Sequence, residues 1–304
     1  DYIYWVEGRP AEKGRNVVVR RGPDGAVEDV TPDPHNARTR VHEYGGGSYV
    51  VAGGTVFYSN FVDQRAYSQR PGDPPKPLTP DGIDLRYTEA VVDVQGRRLI
   101  TVREDHSDLT RTGEAVNEIV CVSTDPEMGA PEEVLVTGAD FYSNPRLSQD
   151  GLRMCWLQWN HPNMPWDGCE LWVAQVGDSG LTHAKKVAGG LDESIFQPEW
   201  SPNGVLHFVS DASGWWNLYR LPGSGDEGAG LAEPLCPMEA EFATPAWVFG
   251  MRTYGFSSDE TIVCAYAERG SWTLASLNTT SGQLSPFDLP YTDFSSVRVG
   301  DGLA

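Results

Sequence analysis

Apolar residues in this chain come in short runs, each closed by a turn signal, which is the pattern of successive β-strands. The stretch 141–176, FYSNPRLSQDGLRMCWLQWNHPNMPWDGCELWVAQV, shows the unit. A strand ends at the turn SQDG, an apolar run follows over 152–159, a loop rich in Pro, Asn and Trp intervenes, and a second apolar run covers 171–176. No long segment carries apolar residues at i, i+3, i+4 and i+7, so amphipathic helices are not expected.

Copies of this unit precede and follow it. Strands are predicted over 1–7 and 16–21, then near 49–51, 55–60 and 64–69, with Gly53-Gly54 between two β-branched runs as a hairpin signal. Residues 22–40 and 70–84 read as polar, Pro-containing connections. Strand, turn and strand recur at 90–93 and 99–104, with a third strand over 117–123. The cleanest copy is 198–221, PEWSPNGVLHFVSDASGWWNLYRL, and a weaker one spans 244–278. Asp93, Ser148 and Ser201 each stand three residues before a glycine (Gly96, Gly151, Gly204), at spacings of 55 and 53 residues. Ser257 lies 56 further on, and the step from Ala52 to Asp93 is 41. That period is too long for leucine-rich or ankyrin repeats and suits one β-blade plus variable loops.

Several strands are apolar on both faces, as in 205–209 and 154–157. A sandwich strand with one wet face would alternate, whereas the middle strands of a propeller blade have neighbours on both sides. The expectation is an all-β chain: a β-propeller of four-stranded antiparallel blades, six recognisable and the start of a seventh, forming a single domain over 1–304. The first strand lacks the inner strand and turn that open the other copies, and the final SSVRVGDGLA supplies that preface and stops. Either the last strand completes the first blade, or the chain is truncated at both ends; the second reading is favoured.

Composition fits this picture. Thirty-three Gly, 22 Pro and 11% aromatic residues suit many turns and strands. Mean hydropathy is −0.39 and no apolar run approaches a membrane span, so no membrane partner is expected. A net charge of −20 argues against nucleic acid, which needs clustered Lys and Arg. The five cysteines are widely spaced with no Cys-x-x-Cys, and Cys121, Cys155 and Cys264 fall in predicted strands, where a thiol behaves as a small apolar group. The opening DYIYWVEG is no signal peptide, so such a segment was removed or the protein is intracellular. The cysteines favour the cytoplasm or another reducing intracellular compartment.

Candidate chemistry is sparse. Gly-x-Ser-x-Gly is absent, so no nucleophile elbow is available and no catalytic residue is assigned. The Gly223, Gly225 and Gly228 match to a dinucleotide fingerprint contains Asp226 and Glu227, which would repel a pyrophosphate, and reads as a loop. Gly45-Gly46-Gly47-Ser48 lacks the lysine of a phosphate loop and reads as close packing or a bulge. The six histidines show no metal spacing, His207 reads as a core histidine, and no cofactor or metal is expected. His161 and Asp167 flank HPNMPWD as an acid–base pair or a structural corner, the corner being the simpler reading. Asn278-Thr279-Thr280 is a formal glycosylation sequon.

Four loop segments combine carboxylates with aromatic or amide side chains: HEYGGG, WNHPNMPWDG, DESIFQPEW and DASGWWNLY. Such composition serves a docking face or fills space between blades. Together with SNPRLSQDG and SGWWNLYRL, these segments resemble the N-terminal propeller of the prolyl oligopeptidase family of serine peptidases, in its acylaminoacyl-peptidase and dipeptidyl-peptidase-like branch. The blade turns alone are shared with tolB-like propellers. The resemblance runs from Tyr4 to the C-terminus. It implies seven blades packed over an α/β-hydrolase domain, later in the parent chain, that carries the catalytic triad. It also implies a non-catalytic propeller, inactive by itself, that filters substrates so that short peptides enter and that docks on the hydrolase domain of a serine exo- or oligopeptidase. In some relatives propeller carboxylates hold the substrate's amino terminus; Glu43, Glu193, Glu239 and Glu241 match no motif for this. Glu43, Tyr44, His161, Trp166, Asp167, Glu193, Trp215 and Trp216 are the candidates for substrate gating or domain docking. The alternative is a stand-alone propeller that binds a protein partner and has no enzymatic role.

Overall fold

The computed structural model describes residues 2–81, 84–109, 113–128, 132–177, 180–223 and 230–300. Its strands form six antiparallel sheets in which sequence neighbours pair in order. The first contains β1 (Ile3–Arg9), β2 (Arg15–Arg21) and β3 (Val27–Asp29). The second contains β4 (Tyr49–Ala52), β5 (Thr55–Ser59), β6 (Ala66–Gln69) and β7 (Lys76–Pro77). β8 (Leu85–Val92), β9 (Arg98–Asp105), β10 (Val116–Ser123) and β11 (Glu133–Val136) make the third. β12 (Phe141–Leu147), β13 (Arg153–Trp159), β14 (Glu170–Gly177) and β15 (Gly180–Gly189) make the fourth. β16 (Ile195–Trp200), β17 (Leu206–Ser210), β18 (Asn217–Leu221) and β19 (Glu233–Pro234) follow. The sixth is β20 (Tyr254–Ser258), β21 (Thr261–Glu268), β22 (Ser271–Asn278) and β23 (Leu284–Pro286). This is the all-β propeller architecture, its blades being four-stranded except for the first sheet.

The chain divides into two compact units. One comprises Asp1–Pro145 with Val248–Gly250, the other Arg146–Trp247 with Met251–Ala304. In unit 1, Val18, Val30, Val56, Tyr58 and Tyr67 form one buried cluster and Phe57, Tyr87, Leu99, Val120 and Val122 another. In unit 2, the largest cluster runs from Phe196 and Val209 through Phe242, Tyr254 and Cys264 to Leu277. The second strands of the four-stranded sheets, β5, β9, β13, β17 and β21, have buried residues on both faces, and all five residues of β17 are buried. β1, an edge strand of the three-stranded sheet, has no buried residue.

The turns behave as their residues predict. Gly53 and Gly54 have φ of 53° and 74°, the twin left-handed conformation of a type I′ hairpin. At each repeat anchor the glycine N–H donates to the residue three before it: Gly96 to Asp93 O, Gly151 to Ser148 O and Gly204 to Ser201 O, all 2.8 Å. Four residues ahead of those anchors stand Glu89, Asn144 and Gln197, each on the first strand of its sheet and each with φ near +50°. Ladder irregularities fall at the same place in β8 and β16. These polar residues tie first strands together. Glu89 accepts from Asn144 N (2.8 Å) and Asn144 Nδ2 (3.2 Å). Gln197 accepts from Thr253 N (2.7 Å), and its Nε2 donates to Tyr254 O (2.8 Å).

Differences from the sequence expectation lie in the weakest elements. The connections over 22–40 and 70–84 contain the short outer strands β3 and β7, and β6 begins at Ala66 because Gln64 adopts a left-handed loop conformation (φ 57°). The terminal segment is not a named strand among the described residues. Val297 N donates to Arg252 O (3.1 Å), and Phe294, Val297 and Val299 pack with Val263, Ala265, Trp272 and Leu274. The glycine motif at 223–228 falls mostly outside the described residues. Gly45 and Gly46 confirm close packing: a Cβ would collide with Thr39 O in the first and Phe249 O in the second.

Candidate functional site

In an antiparallel sheet of four sequential strands, the first and third hairpins emerge at one end, and the second hairpin and the link to the next sheet emerge at the other. The repeat anchors occupy the former end. All four composition-rich segments reach the latter, within their own units.

In unit 2 this places four segments in one hydrogen-bonded network. The loop after β13 meets the link before β16: Ser194 Oγ donates to Pro165 O (2.9 Å), and Asn163 Nδ2 to Leu191 O (2.8 Å). That link meets the loop after β17, where Ser194 N donates to Asp211 Oδ1 (2.7 Å) and Ser210 Oγ to Glu193 Oε1 (2.6 Å). The loop then meets the link before β20, with Trp216 N donating to Glu241 Oε2 (2.9 Å) and Phe242 N to Trp216 O (2.7 Å). Trp166 packs on Trp247, their ring centroids 4.4 Å apart. Met164, Leu191, Trp215 and Trp247 are exposed large apolar side chains on these same segments.

The network carries uncompensated negative charge. Among the described residues no basic side chain is ion-paired with Glu193, Asp211 or Glu241. Burial raises the Asp211 pKa above its ordinary value, and the neighbouring Glu193 and Glu241 carboxylates push it further up. Each acid also fixes a backbone or hydroxyl group, so the three are held in place. The Trp216 indole N–H is buried without a hydrogen-bond partner.

The HEYGGG segment of unit 1 is different. Glu43 (φ 63°) is mostly exposed, and Arg86 Nη1 donates to it at 2.8 Å. That hydrogen bond holds the Glu43 pKa below the ordinary carboxylate range. Arg86 also reaches Glu104 Oε2 (3.3 Å), which lies 2.8 Å from His106 Nε2. His42 is half-buried between aromatic rings, edge-on to Phe141 and tilted on Phe249, and desolvation lowers its pKa. Tyr44 is exposed.

The structure therefore brings together Trp166, Glu193, Trp215, Trp216 and Glu241 of the sequence candidates. Glu239 is exposed in the same link as Glu241. Asp167 accepts from Met164 N (2.9 Å) and returns its own N–H to Met164 O (2.9 Å), which closes a corner. His161 is exposed on that corner and precedes a cis peptide bond to Pro162. His207 is a core histidine: it is buried, Nδ1 lies 3.0 Å from Val205 O, and burial lowers its pKa to about 4. Trp247 was not singled out from sequence, and Asp211 was legible only as the carboxylate that opens the DASGWWNLY segment, not as a named candidate. All five cysteines are free thiols. Among the described residues no group of three potential ligands could hold a metal ion, and no helix is long and apolar enough to cross a membrane.

A scan of protein-family models and a search of curated proteins find no match. Solved structures do match. A puromycin hydrolase superposes with a TM-score of 0.88 at 34% identity, over 96% of this chain and 46% of its own. A Mycobacterium tuberculosis puromycin-hydrolyzing peptidase gives 0.88 at 36% identity with the same coverage. A prolyl endopeptidase gives 0.66 at 11% identity over 95% of this chain and 41% of its own, which is a likeness of fold. The chain spans about half the length of the peptidase structures it matches at higher identity.

Proposed function

From the chain's place among the N-terminal β-propellers of the prolyl oligopeptidase family, we propose that it is the non-catalytic gating and docking propeller of a serine exo- or oligopeptidase acting on short peptides. The observation that carries this reading is the acidic and aromatic network of unit 2. Glu193, Asp211 and Glu241 present negative charge with no ion-paired basic side chain among the described residues, which suits the ammonium end of a peptide. Trp215, Trp247 and Leu191 add exposed apolar area beside it, suited to side chains or to a packed neighbouring domain. Puromycin, named for two of the similar structures, carries an aminoacyl group with a free amine, the same recognition problem. The hydrolase domain of a parent chain would supply the nucleophile.

The test is a Glu193→Gln/Glu241→Gln double variant of the full-length peptidase. The KM for peptides with a free amino terminus is expected to rise about tenfold, near 1.4 kcal/mol, with kcat retained. N-acetylated peptides should be unaffected. Equal changes for both substrate sets would sink the amine-docking role. Serine-type hydrolysis of aminoacyl p-nitroanilides by this chain alone would sink its non-catalytic assignment.

A further inference from the structure

Unit 1 presents a small cationic surface whose charges are directed outward. Arg38 and Arg40 lie two residues apart in the link before β4, and both are exposed while Thr39 between them is buried. Both guanidinium groups lie against one ring: the Arg38 and Arg40 carbons are 4.8 and 4.5 Å from the Phe61 centroid. Among the described residues neither is ion-paired. The nearest acid in the same link, Glu43, hydrogen-bonds Arg86 and acts on Arg40 only through space, and Asp63 is turned inward to Asn60 and Tyr67.

The backbone beneath is rigidly placed. Arg38 N donates to Ser59 O (3.0 Å), Arg40 N to Gln64 Oε1 (2.8 Å), and Phe61 N to Asn36 O (2.9 Å). Gln64 Nε2 closes the arrangement on Phe61 O at 2.7 Å. Two like charges are thus fixed beside one ring, in a chain whose net charge is −20. Their mutual repulsion is relieved when an anion sits across both, and a guanidinium offers paired donors to a carboxylate.

We infer that Arg38, Arg40 and Phe61 form a docking site for a carboxylate-bearing segment of a protein or peptide partner. This goes beyond the gating role and does not depend on it. The neighbours select a peptide: Val62 beside Phe61 is 76% exposed, and Tyr44, on the turn after Arg40, is 64% exposed, offering aliphatic and aromatic contact next to the charges. The acidity of the chain as a whole opposes a polyanion such as nucleic acid.

The probe is fluorescein-labelled Leu-Glu-Leu-Glu amide, followed by anisotropy with the full chain, against the matching Leu-Gln-Leu-Gln peptide. Saturable binding of the Glu peptide is expected, with the Gln peptide about tenfold weaker and affinity falling as salt rises. Arg38→Gln/Arg40→Gln should weaken the Glu peptide by about tenfold or more while the melting temperature stays unchanged. Phe61→Leu should weaken it less. No binding at millimolar peptide, or equal binding by the double variant, overturns the site. Tripolyphosphate or a single-stranded oligonucleotide binding more tightly than the Glu peptide, with the same loss in the double variant, overturns the peptide assignment in favour of a phosphate site.

Discussion

Glu43 of unit 1 and Asp211 of unit 2 occupy the same kind of position, a loop at the link end of the strands, and their acidities move in opposite directions. Arg86 lowers the Glu43 pKa. Asp211 has no such cation; burial and two neighbouring carboxylates raise its pKa. A carboxylate's contribution is therefore set by what faces it. In unit 1 Glu43 is hydrogen-bonded to a cation, whereas among the described residues of unit 2 Glu193, Asp211 and Glu241 have no ion-paired basic side chain. Glu199 shows that pairing, rather than the unit, decides. It is half-buried in unit 2 with Arg146 Nε at 3.0 Å and Arg252 Nη2 at 2.5 Å, and its pKa is lowered against the effect of desolvation.

The largest effect is expected at that doubly paired, half-buried acid. Glu199→Ala leaves two arginines facing each other and is expected to cost about 3–5 kcal/mol, read by urea unfolding. A loss below about 1 kcal/mol would show that burial had cancelled the pairing. Gln197→Ala removes a neutral partner of similar position and strips hydrogen bonds from Thr253 and Tyr254. We expect about 2–3 kcal/mol by the same measurement.

Acid titration sharpens the contrast once the histidine background is known. The buried His207 binds its proton only near pH 4 when folded but near pH 6.5 when unfolded. The unfolded state therefore gains protons first, and stability falls as pH drops from about 6.5 to 4, by on the order of 3 kcal/mol. His207→Asn should flatten that limb. Within the remainder, Glu43 and Asp211 have opposite signs. Glu43 stabilises above its unfolded pKa and loses this as pH falls through its lower folded value. Asp211, with a raised folded pKa, becomes a source of stability as pH falls and a cost at neutral pH. Asp211→Asn should then raise the melting temperature at pH 7 by about 2 °C and remove the effect near pH 4. The smallest change is expected for Glu43→Gln, a loss of about 0.5 kcal/mol that shrinks with added salt.

Much of the frame was legible because turn chemistry and two-faced apolar strands are local signals. Gly96, Gly151 and Gly204 marked the repeats through the bonds their N–H groups make, and β13, β17 and β21 announced themselves as apolar runs. Outer strands such as β7 and β19 were hidden: two-residue polar edges carry no periodicity. The site was legible as composition rather than as geometry. Trp166, Glu193, Asp211 and Trp216 belonged to conspicuous segments, but only tertiary contact joins those segments to one another and to Glu241. Arg38 and Arg40 gave no signal, since one ring shared by two guanidinium groups depends on how the link lies across the loop after β5.

The left-handed residues at 89, 144 and 197 have a consequence for how this chain can vary. They keep one phase relative to the turn that follows, and their side chains bond a neighbouring first strand or the segment that leads into it, Asn144 to Glu89 and Gln197 to Thr253 and Tyr254. Tolerance is thereby partitioned along each repeat. Replacement by a β-branched residue at any of the three positions would be penalised by backbone conformation before side-chain chemistry mattered. The loops at the opposite end answer to no such metronome. They can lengthen, shorten or exchange their charged residues while the inner strands keep time, so new specificities could be written at that end by grafting loops.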